Sequence, residues 1–244
     1  MRVLRRKFET ACEKLKSQGL RAVARHAAAR LWGSVGKRDA SVQAPWEIRK
    51  KTVDASFDRD HGVDTGGTTQ LTDLVIAGPY RRFGIAHTAS DPDEFADAVD
   101  SLCIEHKDFT FIDLGSGKGR AAVLALSYPF RRIVGVEFAL ELHRVAAANL
   151  TSLAATGRDV RRIEFVHADA TSFKFPEEPS VIYLYHPFEG DVMHRVVQRV
   201  LRAHAANPRP IFILYANPFL ESYWIKAGFV SMKRGATFSV LVPP

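Results

Sequence analysis

Phe111-Ile-Asp-Leu-Gly-Ser-Gly-Lys-Gly-Arg120 places an acid, Asp113, at the end of a hydrophobic run, with Gly115, Gly117 and Gly119 following at every second position. Glycine spacing of this kind lets a backbone turn sharply and admit a ligand where a Cβ would block it. The helix expected next offers free N–H groups to anionic parts of that ligand. Two further acids stand in matching places. Glu137 closes the next hydrophobic run, 24 residues after Asp113, and Asp169 closes the one after, in His167-Ala-Asp-Ala170. A carboxylate at the second position can accept from both ribose hydroxyls of a nucleoside. One at the third can accept from an adenine amino group. Each acid alone could be a solvated loop residue; three at the ends of three successive strands line one rim of a sheet.

The elements that must position them are legible from Phe109 onward. Short apolar runs at 109–114, 132–138, 163–167, 180–185 and 210–215 read as buried strands. They alternate with helical patterns at 118–127, 140–154 and 190–206. A short helix at 219–227 and two closing strands, 229–233 and 237–242, complete the chain. Strands alternating with helices specify a doubly wound, mostly parallel α/β sheet, here of seven strands with an antiparallel last strand. Ligands in such sheets sit at the carboxyl ends of the strands. Asp91-Pro92-Asp93-Glu94 starts a preceding helix, with an N-cap acid and a proline in the first turn.

Asp113-Leu-Gly-Ser-Gly-Lys-Gly119, Val134-Gly-Val-Glu137-Phe138 and Asp169-Ala170 together resemble the first three motifs of the class I, seven-strand, Rossmann-like S-adenosylmethionine-dependent methyltransferases, over residues 91–244. The resemblance implies S-adenosyl-L-methionine as cofactor. It implies that Asp113, Ser116 and the backbone of Gly115, Gly117 and Gly119 hold the methionine part. Glu137 would bind the ribose, Asp169 the adenine amino group, Phe138 the adenine face and Ala170 the ring through its backbone. His87 and Ser90 stand where related enzymes close over the cofactor. The reaction expected is methyl transfer to an oxygen or nitrogen of a protein lysine, an RNA or a small molecule.

Tyr185-His186-Pro187-Phe188 ends the fourth strand. Related enzymes acting on planar nitrogens carry Asn/Asp-Pro-Pro-aromatic there, so the histidine is a departure. His186 is a candidate general base, its ordinary pKa lying near neutrality, and Tyr185 a candidate polar group beside it. Two other readings of the motifs stand beside this one: a non-catalytic or RNA-binding member of the fold, and a nicotinamide-dependent oxidoreductase. The last fits less well, because the glycines are spaced Gly-x-Gly-x-Gly and not Gly-x-Gly-x-x-Gly.

Composition sets the frame. The 244 residues are 46% hydrophobic and 25% charged, as expected of a globular chain. Two cysteines, Cys12 and Cys103, exclude a disulfide scaffold or a cysteine-built zinc site. No metal-ligand spacing stands out. No run approaches 18 apolar residues, so no transmembrane segment is expected, and the start lacks a secretory pattern. A cytoplasmic protein is the expectation. The net charge of +7 is unevenly placed: residues 1–50 carry 13 Lys/Arg against 4 Asp/Glu, and the rest 21 against 23. Residues 1–50 read as a basic helical extension, either docked on the body with a solvated basic face or facing an anionic partner such as RNA or a membrane surface. Residues 51–90, polar and glycine-bearing, read as a loop-rich cover or substrate segment.

Overall fold

The computed structural model describes residues 45–70, 74 and 87–244. The chain divides into two units, 1–49 and 50–244. The basic helices expected in 1–44 lie outside the described residues. The first described element, α1 (Pro45–His61), is a helix. It corrects the sequence expectation twice. It crosses the boundary set at 50/51, and it makes 51–61 helical where a loop-rich segment was expected. Its residues carry little apolar periodicity; Phe57, Asp54 and Asp58 provide the packing and pairing that hold it. A two-stranded ribbon follows, β1 (Thr68–Thr69) with β2 (His87–Thr88).

The main sheet has the order β5-β4-β3-β6-β7-β9-β8. Its strands are β3 (Thr110–Leu114), β4 (Arg132–Glu137), β5 (Ile163–His167), β6 (Ser180–Tyr185), β7 (Ile211–Ala216), β8 (Val230–Arg234) and β9 (Phe238–Val242). The first five pair in parallel, and β9 runs antiparallel to both its neighbours. The sheet is mostly parallel, with a reversed last strand, as its sequence implies. Among the described residues, no helix is long and apolar enough to cross a membrane.

Side chains alternate across the pleat, so each strand feeds two cores. On one face Ile112, Leu114, Val134, Val136, Ile182, Leu184 and Ile213 meet α5 (Gly190–Ala206) through Val192, Val196, Val197 and Val200, and α6 (Glu221–Lys226) through Trp224. On the other, Phe111, Ile133, Val181, Tyr183, Leu214 and Val240 meet α2 (Pro92–Asp100) and α3 (Arg120–Ala125). Helix α4 (Leu140–Ala155) packs on β4 and β5. Coverage on both faces explains why the central strands are near-continuous apolar runs. Asp91 caps α2 by accepting from the Asp93 and Glu94 N–H groups. Strand order reverses beside β3, which pairs with β4 on one side and β6 on the other. The crevice at that switch point opens over the end of β3, where Asp113 stands.

Candidate functional site

A cavity of about 290 Å³ lies at the carboxyl ends of β3 to β7. That is near the lower end of the size range of small-molecule and cofactor sites. Of the residues picked from sequence, Asp113, Gly115, Ser116, Gly117, Glu137, Phe138, Asp169, Ala170, His87, Ser90, Tyr185 and His186 all line it. Gly119 does not. It stands behind the loop as the N-cap of α3, φ +90°, where a Cβ would sit 2.5 Å from the Phe165 ring.

The glycine loop is stitched to the end of β4. Gly115 and Ser116 N–H both donate to the Val136 carbonyl, and Gly117 N–H donates to Glu137 Oε2 at 2.8 Å. Glu137 Oε1 accepts from Ala139 N–H, also at 2.8 Å. Each carboxylate oxygen keeps lone-pair capacity for a ligand hydroxyl. Asp169 is half-buried and caps its own turn through Thr171 N–H. Ser116 Oγ is buried with no partner among the described residues. Buried polar atoms are normally paired, so this one fits a missing ligand group. Gly117 has φ +53°, and a Cβ there would sit 2.2 Å from His87 Nδ1. His87 thus lies directly over the loop. Burial holds its ring well below the ordinary imidazole value, at about 4, so it is neutral. Ser90 Oγ is 3.0 Å from Tyr183 Oη in the cavity wall.

Asp113 and Glu137 are each 3% exposed. Burial, with Glu137 nearby, pushes Asp113 up to about 8. Glu137 is raised by burial, against the backbone N–H groups it accepts from. A carboxyl whose folded value exceeds its unfolded value of about 4 destabilises the fold as pH rises from about 4 to about 8, because only the unfolded chain ionises there. Asp113→Asn removes this. The melting temperature of the variant should fall less than that of the parent between pH 5 and 8, as read by calorimetry. Parallel curves would place the charge sensitivity elsewhere.

The strand ends opposite the glycine loop are built alike. His186 follows β6 with φ +47°, and Asn217 follows β7 with φ +48°. Both are non-glycine residues in the left-handed region, a conformation that persists at functional rims when surroundings impose it. His186 Nδ1 lies 2.7 Å from Tyr215 Oη and its Nε2 is 3.7 Å from Glu189 Oε1. Burial lowers the imidazole and Glu189 raises it, with a net fall. Asn217 lines the cavity with Tyr185, a phenol that burial and Glu94 hold above its ordinary value against the lowering effect of the Asn217 side chain.

Two groups of residues were missed from sequence. Asn217 and Phe219 line the same cavity; the signal was a second X-Pro-Phe, Asn217-Pro218-Phe219, one strand over from His186-Pro187-Phe188. The other is a clamp on the far side of the loop. Arg120, 1% exposed, lies over the Phe57 ring and binds Asp54 Oδ1 at 2.9 Å, Asp58 Oδ1 at 3.2 Å and Thr65 Oγ1. Lys118 Nζ binds Asp64 Oδ1 at 2.8 Å and the Gly66 carbonyl at 3.1 Å. So part of the segment expected to cover a substrate instead fastens the glycine loop. No short-range pattern could show this pairing, which spans 62 to 66 residues.

No protein-family profile and no curated protein matches the sequence. Solved structures do. A SAM-dependent methyltransferase from Geobacter sulfurreducens, crystallised with S-adenosyl-L-homocysteine, matches at 20% identity over 51% of this chain and 47% of that one, TM-score 0.39. One from Thiobacillus denitrificans, with the same ligand, matches at 20% over 54% and 52%, TM-score 0.39. A precorrin-6y C5,15-methyltransferase from Geobacter metallireducens matches at 14% over 70% and 93%, TM-score 0.47. The chain spans about half the length of the first two. The strand order, with its switch beside β3 and reversed β9, is the doubly wound, mostly parallel seven-stranded α/β sheet expected from the sequence.

Proposed function

We propose that the protein is an enzyme that transfers a methyl group from S-adenosyl-L-methionine to an oxygen or nitrogen nucleophile. One observation carries the proposal. Acids from the ends of three adjacent strands and a glycine loop that tolerates no side chain converge on one cavity, where Ser116 Oγ is left without a partner. Asp113, Ser116 and the loop backbone would hold the amino-acid part, Glu137 the ribose, and Asp169, Phe138 and Ala170 the adenine. The bound cofactor supplies an already activated methyl, so the protein's task is alignment of the nucleophile and exclusion of water.

His186 is the proposed base. The role requires Nδ1–H to donate to Tyr215 Oη, which leaves the Nε2 lone pair free beside Glu189. The imidazolium formed on taking a proton is then stabilised by that carboxylate. His186→Asn keeps a residue that tolerates the left-handed backbone and removes the base. Turnover should fall about 10². The parent rate, limited by an imidazole held below its ordinary value, should already be flat with pH at neutrality. An unchanged rate in the variant would return His186 to a packing role.

The proposal is tested by ligand-dependent thermal shift. S-adenosylhomocysteine should stabilise the protein by several degrees and NAD should not. Stabilisation by NAD alone would point to a nicotinamide enzyme. Stabilisation by neither would favour a non-catalytic member of the fold.

A further inference from the structure

The end of the cavity away from the glycine loop has a chemistry of its own. Tyr185 and Asn217 stand on neighbouring strand ends, each lining the cavity. The carboxylates that act on the Tyr185 hydroxyl are Glu94, Asp91 and Asp54. Glu189 stands by His186 with its side chain 63% exposed. Phe219, 77% exposed, lines the cavity and meets the His186 ring edge-on at 5.1 Å between centroids. An exposed aromatic and a carboxylate that both meet one imidazole can each attract a cation there, through the ring quadrupole and through charge. Among the described residues, the arginine on the cavity wall is Arg120, already paired with Asp54 and Asp58.

We propose that the methyl acceptor is an amine, protonated as it arrives, received between Phe219 and Glu189 and set against the transferable methyl by Tyr185 and Asn217. The inference rests on the methyl-transfer reading above and narrows its acceptor. The ammonium gives one proton to His186 Nε2, and Glu189, having paired with the ammonium, then pairs with the imidazolium. The freed nitrogen lone pair forms the N–C bond as the C–S bond breaks, its electron pair staying on sulfur. The products are a methylated ammonium and the thioether.

Sinefungin, the cofactor analogue with an amine-bearing carbon in place of sulfur and methyl, puts an ammonium at the transfer point. The full-length protein should bind it at least tenfold more tightly than S-adenosylhomocysteine by calorimetry. Tyr185→Phe and Asn217→Gly, the latter free to keep the left-handed turn, should each cut that preference to under threefold. Homocysteine-form binding with no sinefungin preference, or a preference that survives both substitutions, overturns this inference alone. Binding of neither ligand overturns the cofactor reading and this one with it. A second arm separates the sources of amine. Incorporation of labelled methyl into a cell lysate should disappear when lysate amines are acetylated beforehand. Label in the macromolecular fraction would assign a lysine side chain, and label in the small-molecule filtrate a free alkylamine. Incorporation that survives acetylation overturns the amine.

Discussion

Gly117→Arg should abolish S-adenosylhomocysteine binding, a loss of at least 10² in affinity by calorimetry, while circular dichroism shows a folded chain. Three effects act together. The position has φ +53°, which disfavours any Cβ by about 1–2 kcal/mol. A Cβ would sit 2.2 Å from His87 Nδ1 and 2.5 Å from its Cε1, so the ring must leave. The guanidinium would then lie in the space between Asp113 and Glu137, pairing with the acids the ligand needs. Gly117→Ala in a His87→Ala background separates these effects. It removes the clash and the added charge but keeps the backbone strain, and should recover part of the affinity. Undiminished binding by Gly117→Arg would show that this loop is not the cradle.

Arg120→Met should destabilise the fold by about 3–5 kcal/mol, the usual cost of removing one partner from a buried charge cluster. Its loss leaves Asp54 and Asp58, 10% and 20% exposed, with Lys50, 3.5 Å from Asp54 Oδ2, as the one cation paired with them among the described residues. For a chain of this size the melting temperature should fall by roughly 6–20 °C. Adding Asp54→Asn and Asp58→Asn to Arg120→Met removes the uncompensated charge and should restore about half of the loss. A change below about 1 kcal/mol in the single variant would mean that α1 is not held by this cluster. The consequence reaches the site. Thr65, which Arg120 binds, accepts through its carbonyl from His87 Nε2–H at 3.4 Å, and Lys50 Nζ donates to the Ala89 carbonyl at 2.8 Å. Helix α1 thereby secures the 87–90 wall as well as the loop, so the single variant should also bind S-adenosylhomocysteine more weakly.

The two strand-end motifs show how far local pattern reaches. Tyr185-His186-Pro187-Phe188 drew notice because its residues could do chemistry. Asn217-Pro218-Phe219 did not, because it opens what reads only as a loop before a short helix. Parallel pairing of Tyr185 with Ala216 brings them level and turns both into one wall.

By itself the sequence determined the alternating elements and, with them, the sheet: apolar runs and helical periods are local properties, and a chain that alternates them has few ways to bury both. It also determined the glycine loop and the three acids, because each acid sits within two residues of the carboxyl end of its own strand. Tertiary structure alone decided what those residues face. His87 over Gly117, Asp54 and Asp58 around Arg120, and Asn217 against Tyr185 are meetings between segments 30 to 66 residues apart. Their geometry follows from strand order and helix packing, which no short window of residue types encodes.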